Sequence, residues 1–188
     1  MQTIENSLLR LSIDEQGAEL VSVISPNNQR DYFKNGINQS KLAIFFAENE
    51  QKDNLASSLP WTIIDKGDTQ VSFALIDDTA SYKQFPYHFE VILTYQLEGN
   101  RIAVKCYVQN NSHKQMPFSL KLVLDQLVDW QIEPIMENVE LTQDELKLEL
   151  SSPQLNLQVG DGRVCAVQDD KLLAGDSNTE YHLSLTLN

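Results

Sequence analysis

Alternation, rather than helical periodicity, dominates this chain. Leu9, Leu11 and Ile13 alternate with polar residues, and Glu15-Gln16-Gly17 reads as the turn that ends the run. Residues 19–25 read as a second short strand, closed by Pro26-Asn27-Asn28. Val71, Phe73 and Leu75 alternate after the turn Lys66-Gly67-Asp68. Val91, Leu93, Tyr95 and Leu97 alternate up to Glu98-Gly99-Asn100, and Ile102, Val104, Cys106 and Val108 alternate beyond it. Matched alternation on both sides of a glycine turn predicts a β-hairpin, the best defined element in the chain. Further strands are predicted at 120–124, 139–141, 146–150, 155–159, 164–167 and 183–187, with a tight turn at Val159-Gly160-Asp161-Gly162-Arg163. Residues 41–48 could form a short helix, whereas Leu42-Ala43-Ile44-Phe45-Phe46 fits a buried strand equally well. No linker, repeat or low-complexity segment divides the chain. The pattern predicts one all-β domain over 1–188, an antiparallel β-sandwich.

Composition narrows the partners. The chain has 188 residues, 41% of them hydrophobic, which suits a globular protein with one sizeable core. Acidic residues number 27 against 14 basic, for a formal net charge of -13. Such a balance repels phosphate backbones and anionic lipid, so neither a nucleic acid nor a membrane is expected as partner. Solubility alone is a sufficient reason for the charge. No apolar run approaches a membrane span and no signal peptide is evident. Cys106 and Cys165 lack metal-site spacing and sit in strand-like apolar surroundings, so both are expected to be buried thiols, and a reducing cytoplasmic location is expected.

The stretch from 85 to 119, FPYHFEVILTYQLEGNRIAVKCYVQNNSHKQMPFS, resembles the middle of an aldose 1-epimerase (galactose mutarotase) sequence. The opening supports the resemblance, because Gly17-Ala18-Glu19-Leu20 is similar to the family's first turn into a second strand. Residues 27–35, then Trp61-Thr62-Ile63-Ile64 with Val71-Ser72-Phe73, and finally 173–187, follow the family's order of motifs. The resemblance implies a trimmed galactose mutarotase-like supersandwich. It also implies losses. The family's histidine-glycine-phenylalanine segment should fall where Leu55-Ala56-Ser57-Ser58-Leu59 stands. A second histidine should follow the MPFS turn, near Val123. The late catalytic glutamate should fall where Val164-Cys165-Ala166-Val167-Gln168 stands, and Gln168 is a neutral amide that cannot act as a base. Mutarotation needs one group to protonate the ring oxygen and another to take the anomeric hydroxyl proton. A shortened member lacking that set is expected to be a non-catalytic carbohydrate-binding protein. The alternatives are a ligand-free interaction protein that dimerises through exposed sheet edges, and a residual epimerase.

The remaining chemistry is sparse. His88, His113 and His182 are expected to be solvated surface residues without metal-site spacing. Acidic groups at 48–53 and Asp169-Asp170 read as turns rather than acid–base pairs. Asp125 and Asp129 lie close to Trp130, and an indole beside carboxylates is a reasonable sugar platform, although a core tryptophan explains Trp130 as well. The candidate ligand contacts are Trp130, Lys121, Asp125 and Gln168, with a monosaccharide as ligand and a homodimer as a further partner state. No catalytic residue, metal or cofactor is assigned, since no phosphate loop, nucleophile elbow or zinc motif is present.

Overall fold

In the computed structural model, which describes residues 1–47 and 53–188, the alternating segments form two eight-stranded antiparallel sheets. One sheet orders its main path as β1 (Gln2–Glu5), β2 (Arg10–Asp14), β3 (Glu19–Ser25), β7 (Lys41–Phe46), β12 (Met116–Asp125), β17 (Arg163–Leu173) and β16 (Asn156–Gly160). Its remaining strand, β4 (Arg30–Asp31), pairs with β3. The other sheet runs β13 (Gln131–Ile135), β14 (Asn138–Gln143), β15 (Leu146–Ser151), β18 (Asn178–Leu187), β11 (Arg101–Asn110), β10 (Phe89–Glu98), β9 (Gln70–Ile76) and β8 (Trp61–Lys66). A small ribbon joins β5 (Lys34–Asn35) to β6 (Asn38–Gln39). The expected all-β sandwich is therefore what the chain forms. Two short helices, α1 (Leu55–Ser58) and α2 (Thr79–Gln84), were not anticipated.

The central hairpin forms as the alternation requires. Phe89 to Glu98 of β10 pair in unbroken register with Asn110 to Arg101 of β11. Only Gly99 and Asn100 lie between them, and Gly99 takes φ 65, the positive value that a tight hairpin turn needs at its first central position. The apolar side chains of both strands point one way, into a core shared by the two sheets. Phe46 of β7 meets Phe89 of β10 at a ring separation of 5.0 Å, and Phe118 of β12 meets Tyr181 of β18 at 6.5 Å. Tyr95 is fully buried and its hydroxyl donates across the sandwich to the Ala18 carbonyl at 2.7 Å.

Residues 42–46 resolve as strand. Leu42, Ile44 and Phe46 fill the core, while Lys41, Ala43 and Phe45 take the opposite face. Both faces of β7 thus carry apolar residues, which is why alternation fails there. The acidic stretch 48–53 lies outside the described residues except for Asp53.

The turn Gln109-Asn110-Asn111-Ser112, within the stretch 85–119 that resembles the family, is a structural clamp. Asn110 is completely buried; its amide donates to the carbonyls of Lys114, Leu173 and Ala174, and its side-chain oxygen accepts from the Ser112 N–H. One side chain thereby ties the β11–β12 turn to the β17–β18 turn.

Candidate functional site

The outer face of β7, β12, β17 and β16 gathers the residues of interest. Paired residues in an antiparallel ladder point to the same side, and the register arranges these in rungs. Phe45 pairs with Lys121, Lys121 with Val167, and Val167 with Asn156. Ala43 pairs with Val123, Val123 with Cys165, and Cys165 with Gln158. Lys41 pairs with Asp125, whose carboxylate lies 3.8 Å from the Arg163 guanidinium. Lys41 also holds Glu19 of β3 through contacts of 2.9 and 3.0 Å to the two carboxylate oxygens. The face therefore has an apolar floor of Phe45, Ala43, Val123 and Val167. Lys121, Asn156 and Gln158 stand among them, and the ion pairs border one side.

Of the four expected contacts, Lys121 and Asp125 share this face. Gln168 does not: it pairs with Leu120, which points into the core, and its amide donates to the neighbouring Asp169 carbonyl at 3.1 Å. A bulge between Phe118 and Leu120 begins there and changes the register of β17. Trp130 is set apart from the face. It is 8% exposed and packs within the hydrophobic core, as the alternative weighed for it, core filling, requires. Its neighbour Asp129, at φ 67, instead lines a polar cleft of about 460 Å³ with Asn35, Gln131, Thr142, Gln143 and Asp144. The aromatic group on the outer face is Phe45, half-buried and absent from the core cluster. Its signal in the sequence was the apolar residue out of phase with Leu42, Ile44 and Phe46.

The two places where the family pattern would put its second histidine and its glutamate meet here. Val123, and Cys165 within 164–168, are cross-strand partners on this one face. The place of the first histidine segment is taken by α1, capped by Asn54 and packed with Leu55 and Ala56 buried. None of the three histidines lies on the face. His88, His113 and His182 stand 2.8 Å from Asp77, Asp176 and Glu180 respectively. His88 borders a cleft of about 500 Å³ beside α2 with Tyr82, on which it stacks at 4.8 Å. Among the described residues no group of three or more His, Cys, Asp or Glu side chains is placed to hold a metal ion. No helix among them is long and apolar enough to cross a membrane.

The hydrogen bond that protonated His113 donates to the Asp176 carboxylate raises the His113 pKa above its ordinary 6.5, with the carboxylate's charge adding to the effect. In an NMR pH titration His113 is expected to change charge above that value, and Asp176→Asn to bring the midpoint back down.

The two cysteines differ, against the expectation that both are buried. Cys106 is buried in the core, and desolvation pushes its thiol up to about 12. Cys165 is half-exposed on the outer face. Partial burial raises its pKa, Arg163 and Lys121 pull it back, and Asp125 adds to the rise. A thiol reagent at mildly alkaline pH is expected to modify one cysteine per native chain, Cys165, and two after denaturation. Two reactive thiols in the native protein would contradict the placement of Cys106.

The comparisons agree with this architecture. A galactose mutarotase-like protein from Lactobacillus casei superposes with a TM-score of 0.83 at 16% identity, covering 100% of both chains. A galactose mutarotase related enzyme from Lactobacillus acidophilus gives 0.72 at 13%, over 100% of this chain and 97% of that one. A galactose mutarotase-like protein from Clostridium acetobutylicum gives 0.69 at 12%, over 99% and 94%. This is the galactose mutarotase-like fold. In sequence, residues 34–122 match the family described as aldose 1-epimerase, so the chain resembles that family in a shortened form. No curated protein matches it in sequence. The matched span includes β7 and most of β12, and so Phe45 and Lys121 of the outer face.

Proposed function

We propose that the protein binds a carbohydrate on the outer face of β7, β12, β17 and β16 and does not turn it over. The observation that carries this reading is the rung Phe45–Lys121–Val167–Asn156, in which an aromatic ring stands beside hydrogen-bonding side chains on an apolar floor. A sugar has the complementary character. Its C–H faces pack on aromatic and aliphatic carbon, and its hydroxyls need donors and acceptors. Lys121 supplies donors, Asn156 and Gln158 supply both kinds, and Asp125 accepts.

The absence of turnover follows from which groups face the ligand. Where the resemblance would place the family's two histidines and its glutamate, this chain has apolar residues, a thiol and a helix, which supports a reading without the proton donor and acceptor that ring opening needs. Asp125 and Lys121 are the nearest substitutes, but Asp125 is engaged by Arg163 and by the Gln126 N–H.

Two measurements test the parts of the proposal separately. Polarimetry of freshly dissolved galactose and glucose is expected to show mutarotation at the uncatalysed rate. Acceleration that Asp125→Asn abolishes would sink the non-catalytic reading. Calorimetric titration with the same hexoses is expected to show weak binding that Phe45→Ala reduces at least tenfold. Equal binding by that variant would remove the ring from the site.

A further inference from the structure

We propose that β16 pairs antiparallel with β16 of a second copy, joining two chains into one continuous sheet. Sheet edges present unpaired N–H and C=O groups, and proteins guard them with charge, proline, bulges or cover. Among the described residues the main paths of the two large sheets end in four strands, β1, β16, β13 and β8; the two-residue β4, which pairs only with β3, is an edge too and consists of the charged Arg30 and Asp31. On β1, the Glu5 N–H already donates to the Asp68 carbonyl, and Lys66 reaches over to Gln2. On β13, Glu133 supplies a charge and Pro134 removes an N–H donor from the edge. On β8, a bulge falls between Ile63 and Asp65, and Asp65 and Lys66 follow. Only β16, Asn156-Leu157-Gln158-Val159-Gly160, lacks a charge, a proline, a bulge and a cover.

Its sequence also suits itself. A two-fold axis at Gln158 sets Leu157 opposite the partner's Val159 on one face, and Asn156 opposite the partner's Gly160 on the other. Leu157 and Val159 pair with the core residues Ala166 and Val164, so the new contact extends the apolar layer of the sandwich and covers Val159, now 42% exposed. No like charges meet along the strand, which matters in a chain of net charge -13. The continuation of the edge past β16 is guarded: Asp169, Asp170 and Lys171 of β17 occupy it. The dimer is consequently confined to those five residues. The pairing places the outer faces of both copies on one sheet. The two Phe45 side chains then stand seven interstrand steps apart, about 34 Å measured across the strands at 4.8 Å per step.

The test is sedimentation equilibrium from micromolar to several hundred micromolar protein, and it is independent of any sugar binding. The wild-type chain is expected to dimerise, more tightly as salt screens the repulsion between two acidic chains. Gln158→Lys and Gln158→Glu each set two like charges on the axis, and each is expected to sediment as a monomer with an unchanged circular-dichroism spectrum. Mixed in equal amounts, the two variants are expected to recover the dimer. A wild-type monomer throughout the range, dimers formed by either variant alone, or failure of the mixture to associate would each overturn the proposal. A variant that loses its fold leaves the wild-type result and the other variant to decide.

Discussion

Replacing Asn110 is expected to destabilise the fold by about 3 kcal/mol or more, in spite of its small size. The side chain is fully buried and serves three carbonyls and one N–H. Asn110→Ala leaves those groups without their partner, and each buried unsatisfied group costs about 1–3 kcal/mol. Asn110→Asp is expected to be worse at neutral pH, because a carboxylate would face three carbonyl oxygens and has no proton to donate. The sign of its pH dependence follows. Burial raises the folded-state pKa of the introduced acid above its unfolded value, so the penalty is absent below the unfolded value and complete above the folded one. Asn110→Asp is therefore expected to gain stability relative to wild type as pH falls, whereas Asn110→Ala shows no such relative gain. Urea unfolding of the three proteins at two pH values checks this. The same turn leaves no room at Gly175, where an added Cβ would sit 2.6 Å from the His113 carbonyl carbon. Gly175→Ala is expected to damage the same clamp from the other side.

Phe46→Ala is expected to cost about 3–5 kcal/mol, the range for removing a buried phenylalanine ring. Phe46 is completely buried and meets Phe85 at 6.1 Å, Phe89 at 5.0 Å and Phe118 at 5.7 Å, so it links both sheets to the loop after α2. The midpoint of thermal unfolding should fall by on the order of 10 °C. Phe45→Ala is the informative control. Its ring stands on the outer face and outside the core cluster, so a loss below about 1 kcal/mol is expected. Two adjacent phenylalanines on one strand thus separate folding from recognition. Equal destabilisation by the two substitutions would contradict the assignment of faces.

Much of this fold was legible where one face of a strand is apolar and the other polar, as in the hairpin of β10 and β11. It was least legible where that contrast disappears. On β7 both faces are apolar, so the alternation that would mark a strand is lost. Strand β13 was not anticipated, because an exposed edge strand buries little and its Pro134 argues against one. Strand β17 runs to Leu173, well past the expected end at 167, because the bulge and the charged residues Asp169, Asp170 and Lys171 mask its course.

The candidate site was half legible for a related reason. Lys121 and Asp125 could be placed together because both belong to one alternating strand and differ in position by an even number. Trp130 could not, since it follows Gln126 and Asp129, whose φ values of 61 and 67 turn the chain inward. Gln168 lies at the bulge, where counting by twos no longer identifies the face. The pairing of Val123 with Cys165 depends on strands distant in sequence and is visible only in the structure.

The most direct test of the central claim is an amide NMR titration of the wild-type chain with galactose, glucose and their phosphates. The account predicts shifts grouped on Ala43, Phe45, Lys121, Val123, Asp125, Asn156, Gln158, Cys165 and Val167, with Trp130 unmoved. Shifts grouped elsewhere, or none at high millimolar sugar, would contradict it.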